Sequence, residues 1–232
     1  MPFKKFALTI FALCGAVYCF SQENPERKGR INNNVTEVYH VSPADEQIKD
    51  GLYQAFYKRK HLIASGFYEK GKRTGIWRFS NTTGMLLQTY NFTNDSLVYE
   101  ARENSSSDFH YLLDKELNDS DRVTKPMRIG DRYYGFLPYI NLFKTSFYPY
   151  GDSADLYVAV VQLLISPMGR LAEYKVRVVS PYFDYDRTVT LSVKLFKEED
   201  KQFIPATLNY EPVLSRIIIK CRVTDSGGLD FF

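Results

Sequence analysis

The chain has 232 residues, with 30 Lys and Arg against 27 Asp and Glu and a formal net charge of +3 at pH 7. A balance this close to neutral argues against partners recognised by bulk charge, such as nucleic acid or an anionic membrane surface. Eighteen Tyr, 17 Phe and only three Cys point to sheets held by buried aromatic surface rather than to a disulfide framework.

Met1-Pro-Phe-Lys-Lys-Phe carries Lys4 and Lys5 and no acid, Ala7 to Tyr18 is almost unbroken apolar sequence, and Cys19-Phe-Ser21 precedes Gln22. That order is the pattern of a cleavable secretory signal over residues 1–21. Its apolar run of about a dozen residues is shorter than the roughly 20 that a helix needs to cross a bilayer. A membrane association is therefore expected only if this segment is retained. Cleavage removes Lys4 and Lys5, which lowers the formal charge from +3 to +1 and leaves Cys221 as the single thiol. Neither Cys14, after Leu13, nor Cys19, after Tyr18, follows the small residue that lipid attachment requires. The expected location is the periplasm or the exterior.

Residues 22–48 open with a polar stretch containing Pro25, Gly29 and Asn32-Asn-Asn34, without an apolar period, and read as a flexible leader. Residues 49–100 contain an internal repeat. A shift of 24 residues superposes Gly51 on Gly75, Tyr53 on Trp77, Leu62 on Leu86, Tyr68 on Phe92, and the turn former Gly71 on the turn former Asp95. Each unit is a short aromatic strand after a Gly, a turn and a second strand, which predicts an antiparallel β meander. Two basic clusters, Lys58-Arg-Lys60 and Lys70-Gly-Lys-Arg73, read first as solvated hairpin turns, with an anionic partner such as a sugar polymer or lipid headgroup as the alternative. The step Tyr68-Glu-Lys-Gly71-Lys-Arg-Thr-Gly75-Ile-Trp77 resembles MORN-type repeats of the YwqK kind.

Residues 101–130 are charged and Ser- and Asn-rich, and read as a linker with one short helical possibility at Phe109 to Leu117. Phe136, Leu137, Ile140, Phe143 and Phe147 then recur near helical spacing, and Tyr148-Pro149 would stop that helix. Leu156 to Ile165, the turn Pro167-Met-Gly-Arg170, and the alternating Leu171 to Val179 predict a hairpin. Asp184 to Lys197 fits either an amphipathic helix capped by Asp184 or Asp186 or a strand over Thr188 to Val193. Phe203-Ile-Pro205-Ala206, a turn at Asn209 to Pro212 and a final strand over Val213 to Val223 follow. Residues 225–232, with Gly227-Gly228, read as a tail.

This order, with Tyr148-Pro149, Ser166-Pro-Met-Gly169, Phe203-Ile-Pro205-Ala206, Glu211-Pro-Val213 and Ile217 to Val223, resembles the C-terminal domain of TonB over residues 131–224. The resemblance implies helix over Asp184 to Leu195. The expected fold is thus α+β: a meander of MORN-type hairpins, then two helices on a three-stranded antiparallel sheet. It also implies that an extended segment of an envelope protein pairs beside an edge strand carrying Leu214, Arg216, Ile218, Lys220 and Arg222.

No catalytic, metal or cofactor constellation stands out. His40, His61 and His110 are scattered, and Asp184, Asp186 and Glu198-Glu-Asp200 read as a helix cap and a solvated turn before acid/base groups. Alternation places Cys221 on the apolar face of its strand. The expected function is a non-enzymatic, exported interaction protein, with a homodimer as one form. An energy-transducing TonB-type subunit and a secreted envelope hydrolase are the alternatives.

Overall fold

The structure, a computed structural model, describes residues 24–102, 108–144 and 153–232. The segment read as a secretory signal lies outside the described residues. From residue 26 the chain runs as seven strands: β1 Glu26–Arg30, β2 Val35–Ser42, β3 Asp45–Tyr57, β4 His61–Glu69, β5 Lys72–Ser80, β6 Leu86–Asn91 and β7 Ser96–Glu100. Each pairs antiparallel with the next in sequence order. The turn between Glu69 and Lys72 holds Lys70 at φ 48° and Gly71 at φ 82°, the primed geometry that matches strand twist. Asp95, the repeat equivalent of Gly71, also has positive φ at 49°.

The repeat aligns aromatic rings in space. Tyr53 stacks on Trp77 at 5.3 Å, and the equivalent pair Tyr68 and Phe92 meet Trp77 edge-on at 5.2 and 5.7 Å. Trp77 also donates its indole N–H to the Phe67 carbonyl at 3.1 Å. The indole lies directly over Gly66, where any Cβ would come within 2.3 Å of the ring.

The expected flexible leader is instead β1, β2 and the first part of β3. The Asn32 side chain accepts from the main-chain N–H of Asn34 at 2.9 Å and of Val35 at 2.8 Å, an Asx turn that reverses the chain between β1 and β2. Val35 and Val41 are fully buried. The composition reads as unstructured because β1 is an edge whose side chains stay largely in solvent, so main-chain pairing holds it without an apolar face.

The second half begins with β8 Phe109–Leu113 and β9 Val123–Thr124, a 3-10 turn at Tyr134–Phe136 and the helix α1 Leu137–Leu142. There follow β10 Val158–Ile165, β11 Leu171–Val179, β12 Asp186–Leu191, β13 Ala206–Leu208, β14 Glu211–Val213, β15 Ser215–Val223 and β16 Leu229–Phe231. Among the described residues, a six-stranded antiparallel sheet runs β12-β11-β10-β15-β16 with β8 also on β15, and β14-β13-β9 form a small third sheet.

These elements overturn the α+β expectation. The protein is mainly β, and the two-helix, three-stranded TonB-like domain is not formed. Asp184 to Lys197, expected as a helix, is β12 followed by a 3-10 turn at Val193–Leu195. Thr188, Val189 and Thr190 are β-branched, and β11 offers them an open edge, with Val176 opposite Val189. Asp186 caps no helix and pairs with Arg177 of β11. The first helix ends at Phe143, which is extended at φ −77°, ψ 129°; Phe147 and Tyr148-Pro149 lie outside the described residues. Phe109 to Leu113 of the expected linker is a strand, and the expected tail contributes β16, with Cys221 opposite Phe231. The hairpin of β10 and β11 forms as its alternation predicts, with Tyr174, Val176 and Val178 buried.

The segment before and through α1 lies between the two large sheets and joins them into one core. Toward the meander, Tyr134 stacks on Phe79 at 5.6 Å. The Gly130 N–H donates to the buried Gln88 side chain at 2.8 Å. Toward the second sheet, Phe136 meets Phe109 at 5.1 Å, and Tyr139 meets Phe196 at 4.9 Å. Arg128 pins this segment from below. Its guanidinium donates to the main-chain carbonyls of Gly135, Asp200 and Gln202 and pairs with the Asp200 carboxylate at 2.7 Å.

Candidate functional site

The strand expected to receive a partner is closed on both sides. β15 pairs with β10 from Ser215 to Arg222, and its other side is filled by β8 along Ser215 to Ile219 and by β16 along Cys221 to Val223. The gap between β8 and β16 is bridged too, since the Lys220 N–H donates to the Asp108 carbonyl at 2.9 Å. Arg216, Ile218, Lys220 and Arg222 therefore sit on a central strand, with Leu214 just before it. The Leu214 carbonyl accepts from the Asp114 N–H, Arg216 binds Gln162, and Arg222 pairs with Asp230. Sequence alone missed this because the strand that covers β15 comes from the segment read as a linker, about 100 residues upstream.

Open edges lie elsewhere. Among the described residues, the first sheet ends in β1 on one side and β7 on the other. β1 reads Glu26-Arg-Lys-Gly-Arg30, four of its five residues being charged, which is how natural edges discourage strand addition. β7 reads Ser96-Leu-Val-Tyr-Glu100, and Leu97, Val98 and Tyr99 remain 39%, 57% and 47% exposed. A register shift opposite Thr89 and Tyr90 of β6 leaves Val98 without a direct partner on that strand. Met85 and Leu86, near the start of β6, add further exposed apolar surface. The edge of the second sheet, β12, carries Asp186 and Arg187, and Asp186 is tied to Arg177 of the neighbouring strand. The signal for β7 was present in the sequence as a short apolar run within the repeat region, but its edge position is a property of the topology.

Three of the carboxylates weighed for chemistry are engaged structurally. Asp186 holds Arg177 at 2.8 Å, Glu198 holds Lys201 at 2.6 Å, and Asp200 holds Arg128 at 2.7 Å. The contacts of Asp186 and Glu198 keep their carboxyls below the ordinary range, chiefly through the side-chain hydrogen bonds from Arg177 and Lys201. Cys221 is fully buried, and that burial, followed by the charges of Asp108 and Asp230, pushes its thiol up to about 12. A thiol so placed is a poor nucleophile. His40 hydrogen-bonds the Leu52 carbonyl at 3.1 Å, while His61 and His110 lie on β4 and β8. No group of three metal-ligating side chains occurs among the described residues.

A cavity of about 560 Å³ lies between the Asn32 to Asn34 turn, the end of α1 and the Thr224 to Asp230 turn. Several of its polar groups bind one another: Asn32 to Asn141, Asn34 to Asp230, and Arg222 to Asp230. A second cleft opens between the meander and the segment carrying Arg128 and Asp200. None of the described helices is long and apolar enough to cross a membrane. No family model matches the chain, and neither a curated protein nor a solved structure matches it.

Proposed function

We propose that this is an exported, non-enzymatic cell-envelope protein that binds a partner protein by accepting an extended segment of it as an added strand along β7. The contrast between the two edges of the same sheet carries this reading. β1 is blunted by Glu26, Arg27, Lys28 and Arg30, whereas β7 presents main chain flanked by Leu97, Val98 and Tyr99. An apolar edge left open is an aggregation liability unless it is used. Strand addition uses it: main-chain hydrogen bonds supply affinity, and side chains on alternate faces supply selection. Export rests on the residues 1–21 pattern.

The test places a photo-crosslinking amino acid at Val98 and, as an internal control, at Lys28 on the opposite edge. In living cells Val98 is expected to yield a defined adduct that Lys28 does not, and Tyr99→Lys is expected to abolish it. Equal adduct patterns from both edges would overturn the proposal. N-terminal sequencing of the mature protein tests export, with Gln22 as the expected first residue.

A further inference from the structure

The cleft between the meander and the Arg128 segment has two contiguous lobes of about 240 and 250 Å³. Both are lined by Tyr68, Arg73, Arg128 and Asp200, with Glu199 at the exposed rim. Lys72 and Lys197 line it at exposed positions; three further cations reach it from within, and two of them are answered. Lys49 pairs with Glu37 at 2.8 Å and lies over the rings of Tyr39 and Tyr53 at 4.2 and 4.6 Å. Arg128 pairs with Asp200 at 2.7 Å.

Arg73 is the third. Its guanidinium carbon stands 5.1 Å from the Trp77 ring and 5.4 Å from Phe92, and its Nε donates to the Tyr68 hydroxyl at 3.4 Å. Among the described residues it has no ion-pair partner. Glu199 feels its charge from the rim without contacting it. A guanidinium is always charged and has a planar fork of donors that suits a carboxylate in bidentate fashion. Here aromatic walls fix the fork, and its two terminal nitrogens are unused.

We propose that this cleft binds a small organic carboxylate, held by Arg73 with its apolar body against Ile129, Leu137 and Pro138. The class follows from the inward-facing fork. Arg73 is the one inward cation left unanswered, and its planar pair of free nitrogens matches the two oxygens of a single carboxylate. The apolar wall favours an aliphatic body over a bare inorganic ion. The basic cluster of residues 70–73 thus divides: Lys70 is an exposed turn residue, Lys72 opens β5 at the exposed rim of the cleft, and Arg73 turns inward.

Trp77 is the single tryptophan and lies against Arg73, so its fluorescence reports on this site. The experiment titrates the full chain with hexanoate at constant ionic strength, with hexanamide and inorganic phosphate as comparison arms. Hexanoate is expected to give a saturable change. Arg73→Gln is expected to weaken binding by at least about tenfold, the usual cost of losing a charge-assisted contact. Glu199→Gln, at an exposed position, is expected to tighten it by roughly threefold by removing a competing charge. Hexanamide or phosphate binding as tightly as hexanoate would overturn the carboxylate assignment. An absent response, an unchanged Arg73→Gln protein, or a Glu199→Gln protein with equal or weaker affinity would overturn the site. The last result decides even if Arg73→Gln does not fold.

Discussion

The Tyr134 hydroxyl donates to the Tyr53 hydroxyl across 2.8 Å, and the two rings meet edge-on at 6.4 Å. One hydrogen bond thereby fastens the segment before α1 to the first unit of the repeat. Tyr53 is 1% exposed, so water has little access to replace the donor. Tyr134→Phe is expected to cost about 1–2 kcal/mol, the penalty of leaving a buried polar group without its partner. Urea unfolding should show a lower midpoint at unchanged slope.

Gly66→Ala should be more damaging than its size suggests. The new methyl would stand 2.3 Å from Trp77, whose indole is locked by its bond to Phe67 and by rings on both flanks. Neither β4 nor the indole can withdraw without disturbing the stack, so a loss of about 3 kcal/mol, at the upper end for overpacking, is expected. Calorimetry would read it as a drop in Tm; an unchanged Tm would show that the stack adjusts freely.

Asp200 and Arg128 are not equivalent partners. Burial pushes the Asp200 carboxyl above its ordinary value despite the guanidinium beside it, the mark of a pair whose desolvation is barely offset. Removing the carboxylate by Asp200→Ala leaves Arg128 its three main-chain carbonyls and should cost about 2–3 kcal/mol. Arg128→Met deprives all three carbonyls and the carboxylate of their donor, and should cost about 4–5 kcal/mol. The two chemical denaturation curves should keep that order; equal losses would mean that the ion pair alone matters.

Stability should fall on the alkaline side. Burial raises the phenols of Tyr53, Tyr134, Tyr139 and Tyr174 above their ordinary value of 10.0, and the Cys221 thiol from 9.0 to about 12. The unfolded chain therefore loses these protons first. Their contribution is whole below about pH 9 and declines as pH rises, through Cys221 from 9 toward 12 and through the tyrosines above 10. Urea midpoints should be flat from about pH 7 to 9 and then drop, with phenolate absorbance rising in step with unfolding. A midpoint still flat at about pH 11 would contradict this account.

The repeat was legible because local chemistry specified it: Gly71 and Asp95 both sit at positive φ, and Tyr53 and Trp77 occupy equivalent buried places. The hairpin of β10 and β11 was legible for the same reason, as its alternation needs no distant partner. Asp184 to Lys197 carried both helical and strand periods, and only the open side of β11 decides between them. Glu26 to Arg30 held no apolar pattern because an edge strand needs none. The cleft was out of reach altogether. Glu37, Lys49, Arg73, Arg128 and Glu199 come from separate segments, and nothing in the spacing of those residues shows that two of the cations are neutralised and one is not.

The seven strands in sequence order and the late completion of β15 set a timetable for the polypeptide. Every pairing in the first sheet joins neighbours, whereas β8 must wait for β15, about a hundred residues downstream, and long-range pairing is slow. A chain that emerges N-terminus first would assemble the meander while β8 still lacked its partner. Pulse-labelled hydrogen exchange during refolding should show amides of β3 to β6 protected before those of β8. Simultaneous protection would mean that the two sheets condense as one unit.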